Sequence, residues 1–284
     1  MAKFLLSAFA DEYTDDFSEQ LKALQNFGIN FTELRFVDKK NIADLNDTEV
    51  KEVKTKLDNF GIAASAIGSP LGKISLDDDF DAHLEKAKRV FTTANMLSVK
   101  NIRFFSFYGK EGTDVLQSKE EVFEKLGKLL DLALEYNITL CHENEAKIYG
   151  ESINSCKEIL DFFGGKIKCV FDMGNFVLDG FKPYPDGLNA LKEHIEYFHI
   201  KDSLSAGAIV PPGCGEANIK EILLDYKKDM KKDTFITLEP HLQTFSGLNA
   251  LVGKTFDNPY KYPDSKTAFC DAVEKIKAIL GEIQ

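Results

Sequence analysis

The sequence has no surplus of basic residues: 35 Lys and Arg stand against 46 Asp and Glu, for a formal net charge of -11. This argues against a polyanion as the main ligand and leaves no expectation of nucleic acid, because such binding rests on clustered Lys and Arg that displace counterions from phosphate. Long apolar runs are also missing. None approaches the roughly 18 residues that suggest a membrane span, so no membrane partner is expected. Cysteine is scarce: Cys141, Cys156, Cys169, Cys214 and Cys270 are odd in number and form no C-x-x-C. That pattern argues against a disulfide framework and for reduced thiols in a cytoplasmic protein. Lys3 and the apolar run from Phe4 to Ala10 faintly imitate a secretory leader, but the run is short and Asp11 and Glu12 follow at once. The segment reads better as a buried first strand. No Pro-, Gly- or Ser-rich linker and no low-complexity stretch appears, so a single domain over residues 1–284 is expected.

What the sequence does contain is a regular cadence. Apolar residues make up 44% of the chain, with 23 Phe among them, ample for a large core. Eight short apolar runs recur, at Phe4–Ala8, Phe31–Arg35, Ile62–Ile67, Ile102–Tyr108, Ile138–His142, Cys169–Phe171, Tyr197–Ile200 and Phe235–Leu238. Between them lie polar stretches with apolar residues at helical spacing, such as Phe17, Leu21, Leu24 and Phe27 before Gly28, or Val122, Leu126, Leu129, Leu130 and Ala133. Gly28 and Gly61 stand where helix-ending glycines belong. The spacing matches one strand-helix unit of about 30 or more residues. Eight such units predict an α/β chain folded as a (β/α)8 TIM barrel. One long non-repetitive stretch, residues 241–264, follows strand eight and is expected to be a loop on the active face.

Groups able to bind metal fall at the C-terminal ends of strands five to eight: Glu143, Asp172, His199 and Glu239. A barrel gathers its strand ends around one axis, so residues far apart in sequence converge at that face. A lone carboxylate at a strand end is ordinary; four at equivalent places predict a site. Because residues i and i+2 share a face of a strand, Lys201 should join His199, His241 should join Glu239, and Glu145 should join Glu143. The same spacing pairs Glu33 with Arg35, while Leu140, Phe198, Ile200, Ile236 and Leu238 should face the helices. His142 falls on that outer side and reads as a packed, hydrogen-bonded histidine. Three carboxylates and an imidazole suit Mn2+ or Mg2+, with Zn2+ or Co2+ also acceptable. A purely structural salt-bridge cluster with Lys201 and Arg35 is the competing reading.

These residues sit in recognisable motifs: FADE (Phe9–Glu12), TELR (Thr32–Arg35), IGSPLGKI (Ile67–Ile74), HENE with IYG after it (His142–Gly150), FDMGN (Phe171–Asn175), HIKD (His199–Asp202), VPPGCGE (Val210–Glu216) and LEPH (Leu238–His241). Over nearly its whole length the chain resembles the xylose isomerase-like TIM-barrel superfamily, especially the bacterial sugar phosphate isomerase/epimerase proteins. The resemblance implies one divalent metal on Glu143, Asp172, His199 and Glu239, with Glu143 and Glu239 as the acid/base pair. Many relatives carry histidine three residues after the metal aspartate, where this chain has Asn175; it is assigned here to a substrate hydroxyl.

The expected activity is a metal-dependent sugar isomerase or epimerase that removes a proton next to a carbonyl and passes through an enediolate. Arg35, Glu145, Asn175, Lys201 and His241 are the expected substrate contacts. Gly213 and Gly215 follow strand seven, where barrels build phosphate sites, yet no basic cluster accompanies them, which disfavours a phosphorylated substrate. The alternatives are dehydration of an inosose-type polyol ketone, phosphodiester cleavage, which five histidines and the acidic charge disfavour, and a ligand-binding barrel without catalysis. The partner is a small sugar or polyol, and self-association into a homo-oligomer stays open.

Overall fold

A computed structural model describes residues 2–242, 260 and 262–283. Within them eight strands line up in parallel: β1 (Phe4–Ala8), β2 (Phe31–Leu34), β3 (Ala63–Gly68), β4 (Asn101–Phe104), β5 (Thr139–Glu143), β6 (Lys168–Asp172), β7 (Ile195–Ile200) and β8 (Thr234–Leu238). Each pairs with its chain neighbour from β2 to β8, and β8 pairs with β1. The β1/β2 seam has no ladder; there the Thr32 hydroxyl donates to the Ala8 carbonyl at 3.0 Å. The result is the expected (β/α)8 barrel, nearly closed.

Helices α1 (Phe17–Asn26), α2 (Asp47–Phe60), α3 (Phe80–Met96), α4 (Lys119–Glu135), α5 (Ile153–Phe162), α6 (Met173–Leu178), α7 (Leu188–Leu191), α8 (Ile219–Asp229) and α9 (Ser265–Ile283) lie between the strands or after the last one. Local chemistry sets their ends. At the start of α2, Asn46 accepts from the backbone of Thr48 and Glu49 while the Glu49 carboxylate accepts from the Asn46 backbone, a reciprocal cap. Gly61 ends that helix at φ 65°, a left-handed geometry that glycine adopts without a Cβ penalty. No helix among the described residues is long and apolar enough to cross a membrane.

Alternation along the strands splits the interior in two. Outward side chains, including Leu140, Phe171, Phe198, Ile200, Ile236 and Leu238, join the large core between sheet and helices. Inward ones form a smaller plug of Ala66, Cys141, Val170 and Tyr197 with Phe235 packed on it. Directly above that plug come Glu143, Asp172 and His199, two residues further along β5, β6 and β7, so the strand period aims them into the mouth. The run expected to continue β4 through Tyr108 leaves the barrel after Phe104. Its backbone bonds instead to the loop after β3, with Phe105 N donating to Leu71 O at 2.8 Å and Phe107 N to Gly72 O at 3.0 Å. Most of the expected loop at 241–264 lies outside the described residues.

Candidate metal centre

The ligand atoms of Glu143, Asp172, His199 and Glu239 all lie within 4.8 Å of one another, and all four residues are buried. Register explains the convergence: Asp172 sits beside His199 across the β6/β7 ladder, and Glu239 N bonds to Ile200 O just beyond the β7/β8 pairing. His199 Nδ1 stands 2.7 Å from Glu143 Oε1 and 3.3 Å from Glu239 Oε2.

Fixed cations surround these carboxylates. Lys201 Nζ lies 2.9 Å from Asp172 Oδ2, 3.2 Å from Glu239 Oε2 and 3.0 Å from Asn175 Oδ1. Arg35 reaches Asp11 through Nε at 2.8 Å, Glu12 through Nη2 at 3.1 Å and Glu239 through Nη1 at 2.8 Å. Its guanidinium, 1% exposed, is thus committed to carboxylates of the chain itself, beneath the Phe9 ring at 4.2 Å. Arg103, which sequence reasoning passed over, puts Nη1 3.3 Å from Glu143 Oε2 and donates through Nη2 to Gly68 O at 3.2 Å. The signal for it was present as a single charge inside an apolar strand.

Burial raises carboxyl pKa values and charge partners lower them, and the balance differs from one acid to the next. For Glu143 burial is outweighed by His199 and Arg103, leaving it at about 2. Glu239 is likewise held well below the ordinary range, because Lys201, His241 and His199 overcome its burial. Asp172 goes the other way: burial prevails over Lys201 and pushes it up to about 7. Glu12 rises to about 8 because burial exceeds what Arg35 returns. Burial favours a neutral His199, yet Glu143, Glu33 and Glu239 reverse this and raise it well above its usual value.

The remaining expected contacts lie close by. His241 Nε2 is 3.3 Å from both Glu12 Oε1 and Glu239 Oε1, and burial lowers the ring to about 4. Glu145 pairs with Lys73 at 2.8 Å on the rim, a partner from the IGSPLGKI segment that carried no role in the sequence. Asn175 donates to the Asn144 carbonyl at 2.9 Å while accepting from Lys201, so both ends of its amide face the chain. His142 points away, 3.0 Å from the Ser106 hydroxyl and held at about 4 by burial, the packed histidine expected. The glycine loop is closed on itself: Gly213 and Gly215 donate to Asp202 Oδ2 at 2.8 and 2.9 Å, and Ala217 donates to Oδ1 at 3.1 Å. Its backbone donors are therefore occupied by an internal carboxylate rather than presented as a phosphate cradle.

Solved structures share this architecture. The probable 3-DHS dehydratase AsbF of Bacillus anthracis is 18% identical at a TM-score of 0.73, with 98% of this chain and 99% of that one covered. A xylose isomerase-like TIM barrel protein from Mycobacterium smegmatis, in complex with magnesium, gives 14% identity and a TM-score of 0.71 over 100% and 97%. D-psicose 3-epimerase with D-tagatose, from Clostridium cellulolyticum H10, gives 12% and 0.71 over 100% and 99%. Identities this low carry the fold alone. Among curated protein sequences none matches the chain. The family model that does match, the xylose isomerase-like TIM barrel, spans residues 21–250 and so takes in all four buried donors; the chain belongs to that family.

Proposed function

We propose that this protein is a divalent-metal-dependent isomerase or epimerase of a ketose or related polyol ketone. The observation that carries the reading is the buried convergence of Glu143, Asp172, His199 and Glu239 donors within 4.8 Å. The donor set fits such an ion. Three carboxylates and one imidazole favour Mn2+ or Mg2+ and accept Zn2+ or Co2+. Glu239 Oε2 is buried without a directed hydrogen bond, 3.2 Å from Lys201 and 3.3 Å from His199. When bound, the cation would supply Lewis-acid polarisation of a substrate carbonyl.

The chain's own residues do the rest. Glu143 on β5 and Glu239 after β8 approach the mouth from different strands, so one can take the proton beside the carbonyl while the other returns one. Both are held ionised at neutral pH by their cationic neighbours, which suits them to start as bases. Arg35 and Arg103 brace these two carboxylates from behind. Lys201, Glu145 and His241 ring the same space and would meet substrate hydroxyls, whereas Asn175 spends both ends of its amide on the chain. The self-closed glycine loop supports an unphosphorylated substrate. One structural neighbour is named an epimerase and another a dehydratase. Loss of water from a polyol ketone, beginning with the same proton abstraction, is the second reading.

Elemental analysis of purified wild type and Glu239→Gln comes first, followed by metal-loaded incubation with ketoses and inososes in deuterated water. The proposal expects deuterium beside a carbonyl with mass otherwise conserved, and no incorporation by the variant. Water lost from an inosose moves the assignment to a dehydratase. A wild type that takes up no metal after reconstitution overturns the site.

A further inference from the structure

Inside the barrel, below the four donors, His199 makes a second contact that the proposed chemistry does not use. Its Nε2 lies 3.0 Å from Glu33 Oε2, on the side of the ring opposite Glu143 and Glu239. Glu33 is in turn fixed: the Tyr197 hydroxyl donates to its Oε1 at 3.0 Å. Glu33 and His199 side chains are 0% exposed, and Tyr197 is 1% exposed. A backbone irregularity between Thr32 and Glu33 breaks the β2/β3 register at this point.

We infer that Glu33, held by Tyr197, is the positioning residue that selects which nitrogen of His199 faces the metal. The inference rests on the metal reading above. A neutral imidazole carries one N–H, and an ionised carboxylate can only accept. Both nitrogens of His199 face carboxylates, Nδ1 with Glu143 at 2.7 Å and Nε2 with Glu33 at 3.0 Å; a cation on Nδ1 would leave the ring its one N–H at Nε2, with Glu33 placed to accept it. Turning the ring over about its Cβ–Cγ bond would put a ring carbon where Nε2 now stands and break the buried contact with Glu33. Tyr197 is part of the device because it sits two residues before His199 on β7 and shares its inward face. Its hydroxyl, donating to Glu33 Oε1 at 3.0 Å, ties down the second carboxylate oxygen.

The test is zinc affinity by competition titration in wild type, Glu33→Gln and Tyr197→Phe, with 15N-histidine NMR of the zinc-loaded proteins and thermal melts of each. Wild type is expected to show His199 protonated at Nε2 and metal-shifted at Nδ1. Glu33→Gln should bind zinc about 10- to 100-fold more weakly, the usual cost of losing a carboxylate behind a histidine ligand, and its His199 signals should move. Tyr197→Phe should change both readouts in the same direction by less, and it decides the matter if Glu33→Gln does not fold. Wild-type affinity with unmoved His199 signals in the folded variants overturns the role of Glu33 alone. A wild type that binds no zinc overturns the metal reading together with it.

Discussion

Gly174 opens α6 beneath the side chain of Lys201, with no room between them. A Cβ there would stand 2.7 Å from Lys201 Cγ and 2.8 Å from the Lys201 carbonyl oxygen, and the latter cannot swing aside. Gly174→Ala should destabilise the protein by about 1–3 kcal/mol, the ordinary cost of forcing atoms into a packed interior; a lower urea midpoint with an unchanged slope would show it. The FDMGN segment thus has a steric reason for its glycine besides the chemistry of Asp172. Other residue roles were less visible. Arg103 and Lys73 act through partners 40 and 72 positions away, Glu143 and Glu145 respectively, and nothing in the chain order announces those pairings. Arg35 was legible as an inward charge, but its three carboxylate partners come from the loop after β1 and from the residue just past β8.

Elements hold the mouth in place through a few polar contacts, and the His83 bond is one that responds to pH. His83 on α3 accepts the Gly72 N–H at 3.0 Å, joining that helix to the loop after β3. Burial, with help from Lys86, depresses the ring to about 4 from an ordinary 6.5. A depressed histidine stabilises the fold fully above its unfolded pKa and loses that contribution as pH falls toward the folded one. Stability should therefore decline from about pH 6.5 to about pH 4, by up to about 3 kcal/mol from this group alone. Denaturant titrations of wild type and His83→Gln across that window should show a shallower pH slope in the variant; equal slopes would remove His83 as the cause. Strand positions were readable because the apolar runs are short and evenly spaced. The end of β4 was not, since Phe105 to Tyr108 keep an apolar character while bonding to a loop.

At the scale of the molecule, the barrel brings like charges together that only folding makes neighbours. Glu143, Asp172 and Glu239 share one buried mouth, so an ion binding there favours the native state over the unfolded chain. Manganese at about 100 times its dissociation constant should add roughly 2.7 kcal/mol. For a domain of this size that is a rise in Tm of roughly 5 °C. Differential scanning fluorimetry should record the rise in wild type and not in Glu239→Gln; an equal response in both would place the ion elsewhere. The raised Asp172 and His199 values mean that protons leave as a cation enters, so the rise should be larger at pH 8 than at pH 6.

Sequence alone determined the eight-unit cadence, the inward alternation of the strands and the place of Glu143, Asp172, His199 and Glu239 at strand ends, because these depend on period and position along one chain. It also settled His142 as a packed residue, since the strand period put it on the helix side. Tertiary structure alone decided which charges meet. Glu33 behind His199, Arg35 on Glu239, and Asp202 inside its own glycine loop are contacts across the barrel or across a loop. Such partners are chosen by register and barrel closure, which bring distant positions within hydrogen-bond reach, and no local pattern encodes that choice.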